Sequence, residues 1–91
     1  MTTTQCRPLT KRRDKLVIMA EIINISRRGA LKTQIMYKAN LSFSQLKEYL
    51  TLMLANQLLT KTAYNRKELF QATPKGKEFL ERHQEIADML N

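Results

Sequence analysis

The stretch that decides the fold is "KTQIMYKANLSFSQLKEYL", Lys32–Leu50, where two helical patterns meet at a polar interruption that contains neither glycine nor proline. Asn40 lies where a helix ends with a residue of positive φ, a conformation that Asn tolerates better than most residues. Ser42 then suits a helix N-cap, and Gln45 follows three residues later, as in a capping box. The sequence therefore predicts a sharp corner between two helices.

The helices on either side of this corner have apolar faces at helical spacing. We predict a short helix over Leu31–Lys38, with Leu31, Ile35 and Met36 directed inward. A longer helix is predicted over Phe43–Asn56, after the hydrophobic-staple pair Leu41 and Leu46. At about 100° per residue, its buried face consists of Phe43, Leu46, Tyr49, Leu50, Met53 and Leu54. The opposite face is a polar arc that consists of Ser44, Gln45, Lys47, Glu48 and Thr51, with Leu52 among them.

Before the corner, the sequence predicts a tail and one further helix. Residues 1–10 are rich in Thr and contain Pro8, so we expect a flexible tail there and a single domain over residues 11–91. The helix is expected over Lys11–Ser26, and Gly29 is expected to close it in the left-handed conformation. Its apolar face would consist of Leu16, Ile18, Met19, Ile22, Ile23 and Ile25.

After the corner, the pattern changes to that of a hairpin followed by a last helix. Strands are predicted over Leu59–Ala63 and Leu69–Ala72, with a polar tip at residues 65–67. The last helix is expected over residues 74–90, because Thr73 suits the N-cap and Pro74 suits the first helical position. Gly76, in the first turn, indicates close passage of another backbone segment.

Composition restricts the class of function. The 91 residues carry 16 Lys and Arg against 8 Asp and Glu, a net charge of +8, which favours a polyanionic partner. Cys6 is the single cysteine and His83 the single histidine, so the ordinary zinc sites are excluded and no cofactor is expected. With two glycines, the sequence contains no phosphate-binding glycine-rich loop. We therefore expect a protein that is not an enzyme.

The sequence contains no membrane or secretion signal. No apolar run approaches the roughly 20 residues of a membrane helix, and the N-terminal residues lack the apolar stretch of a signal peptide. We therefore expect a cytoplasmic protein with no membrane partner.

The predicted order of elements is that of a winged helix-turn-helix domain, an α+β fold that is mostly helical with a two-stranded wing. Two runs resemble the small archaeal winged-helix DNA-binding proteins, which include chromatin-associated dimers and transcriptional regulators. They are "KTQIMYKANLS" at Lys32–Ser42 and "TPKGKEFL" at Thr73–Leu80. Relatives of the chromatin type carry a long C-terminal coiled coil, whereas here three seam positions follow Phe79 before Asn91.

The resemblance implies that the helix after the corner enters the major groove of duplex DNA. The polar arc would then face the bases, with Gln45 suited to adenine and Lys47 to guanine. Glu48 either accepts a hydrogen bond from cytosine or pairs with a neighbouring cation. Phosphate contacts would come from Lys32, Thr33, Tyr37, Asn40 and Ser42. Wing contacts would come from Lys61, Arg66 and Lys67, although a solvated loop explains that tip equally well.

The last helix carries an apolar seam at spacings of four, three and four: Phe79, His83, Ile86 and Leu90. The seam is either half of an intermolecular interface or the attachment of the helix to its own domain. We expect a homodimer, which would present two recognition helices about 34 Å apart.

Two functions therefore compete. The first is a nucleoid-associated regulator or chromatin protein that binds double-stranded DNA as a homodimer. The second is a winged-helix module that binds another protein through the third-helix face. Salt distinguishes them, because counterion release makes DNA binding strongly dependent on salt concentration.

Overall fold

The computed structural model describes residues 14–90, so the predicted tail at residues 1–10 lies outside the described part. Four helices and three strands follow one another in the order α1, β1, α2, α3, β2, β3, α4. The helices are α1 (Lys15–Ile25), α2 (Lys32–Lys38), α3 (Phe43–Ala55) and α4 (Pro74–Leu90). The strands are β1 (Ala30–Leu31), β2 (Leu59–Tyr64) and β3 (Lys67–Ala72). This mostly helical α+β architecture confirms the predicted fold class.

The first helix begins and ends at other residues than predicted. Asp14 is its N-cap and accepts a hydrogen bond from the amide of Val17 at 3.0 Å, so α1 begins at Lys15. The predicted start at Lys11 lies outside the described residues. The helix ends at Ile25, and Gly29 adopts its positive φ of 99° in the following turn, not at the helix end. Leu16, predicted to be buried, is 55% exposed, because it lies in the first turn at the outer end of α1.

The corner between α2 and α3 forms as predicted. Asn40 has φ 56°, and the amide of Leu41 donates to the carbonyl of Met36 at 3.0 Å, the bond of a Schellman motif. The capping box is complete: the amide of Gln45 donates to Ser42 Oγ at 3.1 Å, and the amide of Ser42 donates to Gln45 Oε1 at 3.0 Å. Since both helix termini are satisfied locally, the corner needs no glycine.

The sheet has one strand more than predicted. Its order is β1-β3-β2, with both pairs antiparallel. Leu31, predicted to open the second helix, instead pairs with Leu69 in β1, a strand of two residues that has no alternation for sequence analysis to detect. The β2–β3 turn has positive φ at Asn65 and Arg66, which is typical of a type I′ hairpin. Lys67, predicted to lie at the tip, is the first residue of β3.

One hydrophobic core lies between the helices and the sheet. Its largest fully buried apolar residues are Phe70, Ile22, Ile23, Ile35, Leu46, Met53 and Leu59. Phe43, predicted to be buried, is 65% exposed. Phe43 is the first residue of α3, so it lies beyond the end of the core. Its side chain is also rotated by about 60° around the helix axis from that of the buried Leu46.

The start of α4 joins the end of α3. Thr73 Oγ1 donates to the carbonyl of Gln57 at 2.6 Å and accepts from the amide of Gly76 at 2.9 Å. A Cβ on Gly76 would overlap the carbonyl oxygen of Leu58, which confirms the close passage of two backbones. Lys75 Nζ donates to the carbonyl of Asn56 at 2.9 Å. These contacts fix the direction in which α4 leaves the domain.

Candidate nucleic-acid interface

The polar arc of α3 lies on the surface. The apolar residues on the opposite side of the helix, Leu46, Leu50 and Met53, are buried. All five polar residues of the arc are exposed: Ser44, Gln45, Lys47, Glu48 and Thr51. Leu52 is exposed among the polar residues, as its position in the pattern predicts. The structure therefore presents a hydrophilic flank of α3 to solvent from Ser44 to Thr51, with the apolar Leu52 next to it.

Gln45 has two possible uses that compete. A bidentate contact to adenine requires both the oxygen and the nitrogen of the side-chain amide. In this structure Gln45 Oε1 accepts from the amide of Ser42, so the oxygen is engaged in the capping box. The Ser42 hydroxyl, a predicted phosphate contact, is likewise engaged as the N-cap. Both residues hold the N-terminus of α3 in place before any ligand arrives.

Glu48 takes part in no ion pair within residues 14–90. It is exposed on the same flank as Lys47. Of the two alternatives left by the sequence, pairing with a neighbouring cation is not observed in the described chain. The carboxylate remains available to a donor such as the cytosine amino group.

A groove of about 310 Å³ lies between α3 and the sheet, and we call it the lysine groove. Its basic side chains are Lys32 from the start of α2, Lys47 from α3 and Lys61 from β2. Glu68 of β3 also lines the groove and lies 3.5 Å from Lys32 Nζ and 3.5 Å from Lys61 Nζ. Sequence analysis did not single out Glu68, because only the strand register shows that it lies between the two lysines.

The other predicted contact residues lie on α2, at the corner and on the wing. Thr33 is exposed in the first turn of α2, and Tyr37 is exposed further along the same helix. Asn40 is exposed at the corner. Arg66 is at the hairpin tip, and Tyr64, the last residue of β2, is exposed. The described structure thus places these side chains on α2, the corner and the wing, all at the surface.

The predicted seam of α4 divides into two parts. Phe79 and His83 are half-buried, and their rings stack with centroids 6.4 Å apart, whereas Ile86 and Leu90 are 58% and 82% exposed. Met89, which sequence analysis did not include, is also exposed. Phe79 and Leu80 pack against the core.

The first half of α4 faces α1. The groove between the two helices, of about 490 Å³, is lined from α4 by five residues, one of which belongs to the seam: Lys77, Leu80, Glu81, His83 and Gln84. The distal seam residues Ile86 and Leu90 do not line it. Attachment of α4 to its own domain therefore leaves the outer half of the seam uncovered.

The sequence model of the winged helix-turn-helix family matches residues 12–91. The chain belongs to this family. Two uncharacterized proteins of Methanocaldococcus jannaschii are similar to it. One is 36% identical over 87% of this chain and 36% of its own length. The other is 30% identical over 88% of this chain and 79% of its own length. The winged-helix chain thus spans about a third of the first relative.

Solved structures share this winged-helix fold. The DNA-binding protein Sso10a-2 from Sulfolobus solfataricus has a TM-score of 0.78 at 21% identity, covering 85% of this chain and 81% of that one. The Staphylococcus aureus transcription regulator MepR has a TM-score of 0.72 at 13% identity, and the match covers 82% of this chain and 56% of MepR. AF1382 from Archaeoglobus fulgidus has a TM-score of 0.72 at 15% identity, covering 92% and 98%.

In this winged helix-turn-helix chain, α2 and α3 form the helix-turn-helix and β2–β3 form the wing. Within residues 14–90, no helix is long and apolar enough to cross a bilayer. The same residues contain no group of three or more His, Cys, Asp or Glu side chains placed to hold a metal ion.

Proposed function

We propose that this chain binds duplex DNA, as a transcriptional regulator or a chromatin-associated protein at the nucleoid. The observation that carries the proposal is the exposed polar flank of α3 beside the lysine groove. A helix that presents polar side chains and is flanked by cations suits the major groove and its phosphates. The proposal is supported by the fold shared with proteins described as a DNA-binding protein and as a transcription regulator.

In this proposal the contacts divide into base readout and phosphate binding. Ser44, Lys47 and Thr51 face the base edges, and Gln45 joins them when its amide leaves the capping box. The main-chain amides at the start of α3 contact the phosphates of the DNA backbone. Five side chains contact the same phosphates: Lys32, Thr33, Tyr37, Asn40 and Ser42. Lys61, Arg66 and Lys67 place the wing on the adjacent backbone or minor groove. Base readout rests on few side chains, so we expect modest sequence specificity.

The protein is proposed to act as a homodimer through α4. Support comes from the uncovered outer seam, because Ile86 and Leu90 lie on one stripe of the helix and contact water in the single chain. The inner seam residues Phe79 and His83 would continue the same interface. A two-fold pair would present two copies of α3 to successive turns of the duplex.

The test is a fluorescence titration of random-sequence duplex DNA between about 50 and 200 mM salt, over which about four phosphate contacts weaken binding roughly 100-fold. Lys47→Ala should weaken binding about 5- to 20-fold, the usual cost of one specific contact. Lys77→Ala removes the same charge from an exposed position on α4 and should change affinity less than about twofold. Binding that does not depend on salt would instead support the protein-interaction module, with the α3 face buried against another protein.

A further inference from the structure

Glu68 lies between two lysines of the lysine groove. Its Oε1 is 3.5 Å from Lys32 Nζ, and its Oε2 is 3.5 Å from Lys61 Nζ. All three side chains are nearly half exposed, so each ion pair remains in contact with water. One carboxylate thus lies between two cations, with one oxygen near Lys32 at the start of α2 and the other near Lys61 of β2.

The backbone register holds this arrangement. Glu68 lies on the central strand β3, with β1 on one side and β2 on the other. Lys61 pairs with Phe70, two residues from Glu68, so both charged side chains lie on the sheet face that buries Phe70. Lys32 directly follows Leu31, the partner of Leu69. The register therefore places the carboxylate within reach of both lysines.

The charge of the three residues matters more for binding than for folding. Ion pairs between exposed side chains stabilise a fold only weakly, because water and salt screen them. The same carboxylate lowers the local charge of the three residues from +2 to +1, and it does so inside a groove that a phosphate would enter. A phosphate that approaches both lysines must compete with Glu68 for them.

We propose that Glu68 is a positioning residue that limits the affinity of this protein for DNA by neutralising Lys32 and Lys61. This inference rests on the proposed function. In the free protein the two lysines pair with Glu68. On binding, a DNA phosphate either displaces the carboxylate of Glu68 or pairs with only one of the two lysines. The protein with Glu68 therefore releases one counterion fewer from DNA than a protein without this carboxylate. Contacts of the α3 flank with the DNA bases then contribute a larger share of the total affinity.

The test compares Glu68→Gln with Glu78→Gln by titration of random-sequence duplex DNA across a salt series. Both substitutions remove one carboxylate that is paired with a cation, and Glu78 pairs with Arg82 on α4, away from the lysine groove. Glu68→Gln should tighten binding about 3- to 10-fold and steepen the slope of log affinity against log salt by about 0.9, the value for one further phosphate. Glu78→Gln should change affinity less than twofold. Thermal unfolding of both variants checks that each is folded.

A second measurement keeps the inference separate from the proposed function. In a Lys32→Ala, Lys61→Ala background, Glu68→Gln should no longer tighten binding, because no lysine remains to be released. If wild type binds DNA but Glu68→Gln binds equally or more weakly, or gains as much without the lysines, the inference is overturned and the proposed function stands. If neither protein binds duplex DNA, both are overturned.

Discussion

The backbone of α4 at Gly76 passes so close to Leu58 that a methyl group on the glycine would overlap the Leu58 carbonyl oxygen. Helix propensity alone would make alanine more favourable than glycine at this position by about 1 kcal/mol, but the overlap displaces α4 from the end of α3. We expect Gly76→Ala to lower the free energy of unfolding by about 2 to 3 kcal/mol in urea denaturation, as overpacking does. The neighbouring exposed Lys77→Ala should change it by less than about 0.5 kcal/mol. Equal stability of both variants would contradict the close contact.

Two apolar residues of α3 should differ sharply in their effect on stability. Leu46 is 1% exposed and Phe43 is 65% exposed, although both belong to the apolar pattern of the helix. Leu46→Ala should cost about 2 to 5 kcal/mol in urea unfolding, because it leaves a cavity in the core. Phe43→Ala should cost less than about 1 kcal/mol, since most of the ring already contacts water. A larger loss in Phe43→Ala would show that the ring is buried in solution.

Gln57 offers a stabilising substitution. Its φ of 63° places an L side chain in the left-handed region, at the position after the C-cap of α3 where glycine is favoured. Gln57→Gly should raise the free energy of unfolding by about 0.5 to 1 kcal/mol, because relief of left-handed strain exceeds the added entropy of the unfolded chain. Gln71→Gly, in strand β3, should lower it by a similar amount. A lower melting temperature for Gln57→Gly would contradict this account.

Two serines at the start of α3, both proposed to contact DNA, should differ in their effect on stability. Ser42 Oγ accepts the amide of Gln45, whereas Ser44 is exposed in the first turn of α3. Ser42→Ala should lower the free energy of unfolding by about 1 kcal/mol, the usual cost of a lost N-cap. Ser44→Ala should change stability by less than about 0.5 kcal/mol and weaken DNA binding. Chemical denaturation and DNA titration on the same preparations check both; the opposite order of stabilities would rule out the cap.

The proposed dimer depends on the outer seam of α4. Replacing both Ile86 and Leu90 by Ser removes two exposed apolar side chains, which would otherwise be buried in the interface. Sedimentation equilibrium should give a mass near twice 10.7 kDa for wild type and near 10.7 kDa for this variant. Leu52→Ser, which removes an exposed apolar residue of α3, should remain dimeric. A monomeric wild type, or a dimeric double variant, would contradict the proposed interface.

Local signals in the sequence predicted the elements that depend on near neighbours. Three such features were predicted correctly: the corner at Asn40 and Ser42, the N-cap at Thr73 and the close passage at Gly76. The corner and the N-cap depend on hydrogen bonds between residues close in sequence. The close passage was indicated by the residue type, because only glycine lacks a Cβ. Strand β1 was missed, because two residues carry no periodicity and exist as a strand only by pairing with β3. The exposure of Leu16 and Phe43 was also missed, since periodicity assigns a side chain to a face but not to a depth along it.

The sequence by itself determined the fold class, the helix-turn-helix corner, the start of α4 and the excess of positive charge, because local hydrogen bonding, backbone conformation and composition are read directly from the chain. Only the tertiary structure decided which charges meet. Glu68 follows Lys32 by 36 residues and lies across the β2–β3 hairpin from Lys61, and each lysine comes to 3.5 Å from its carboxylate only through the order and register of the strands. The physical reason is that the pairing of β1 with β3 joins distant parts of the chain, so the electrostatics of the candidate site emerge only after the sheet has formed.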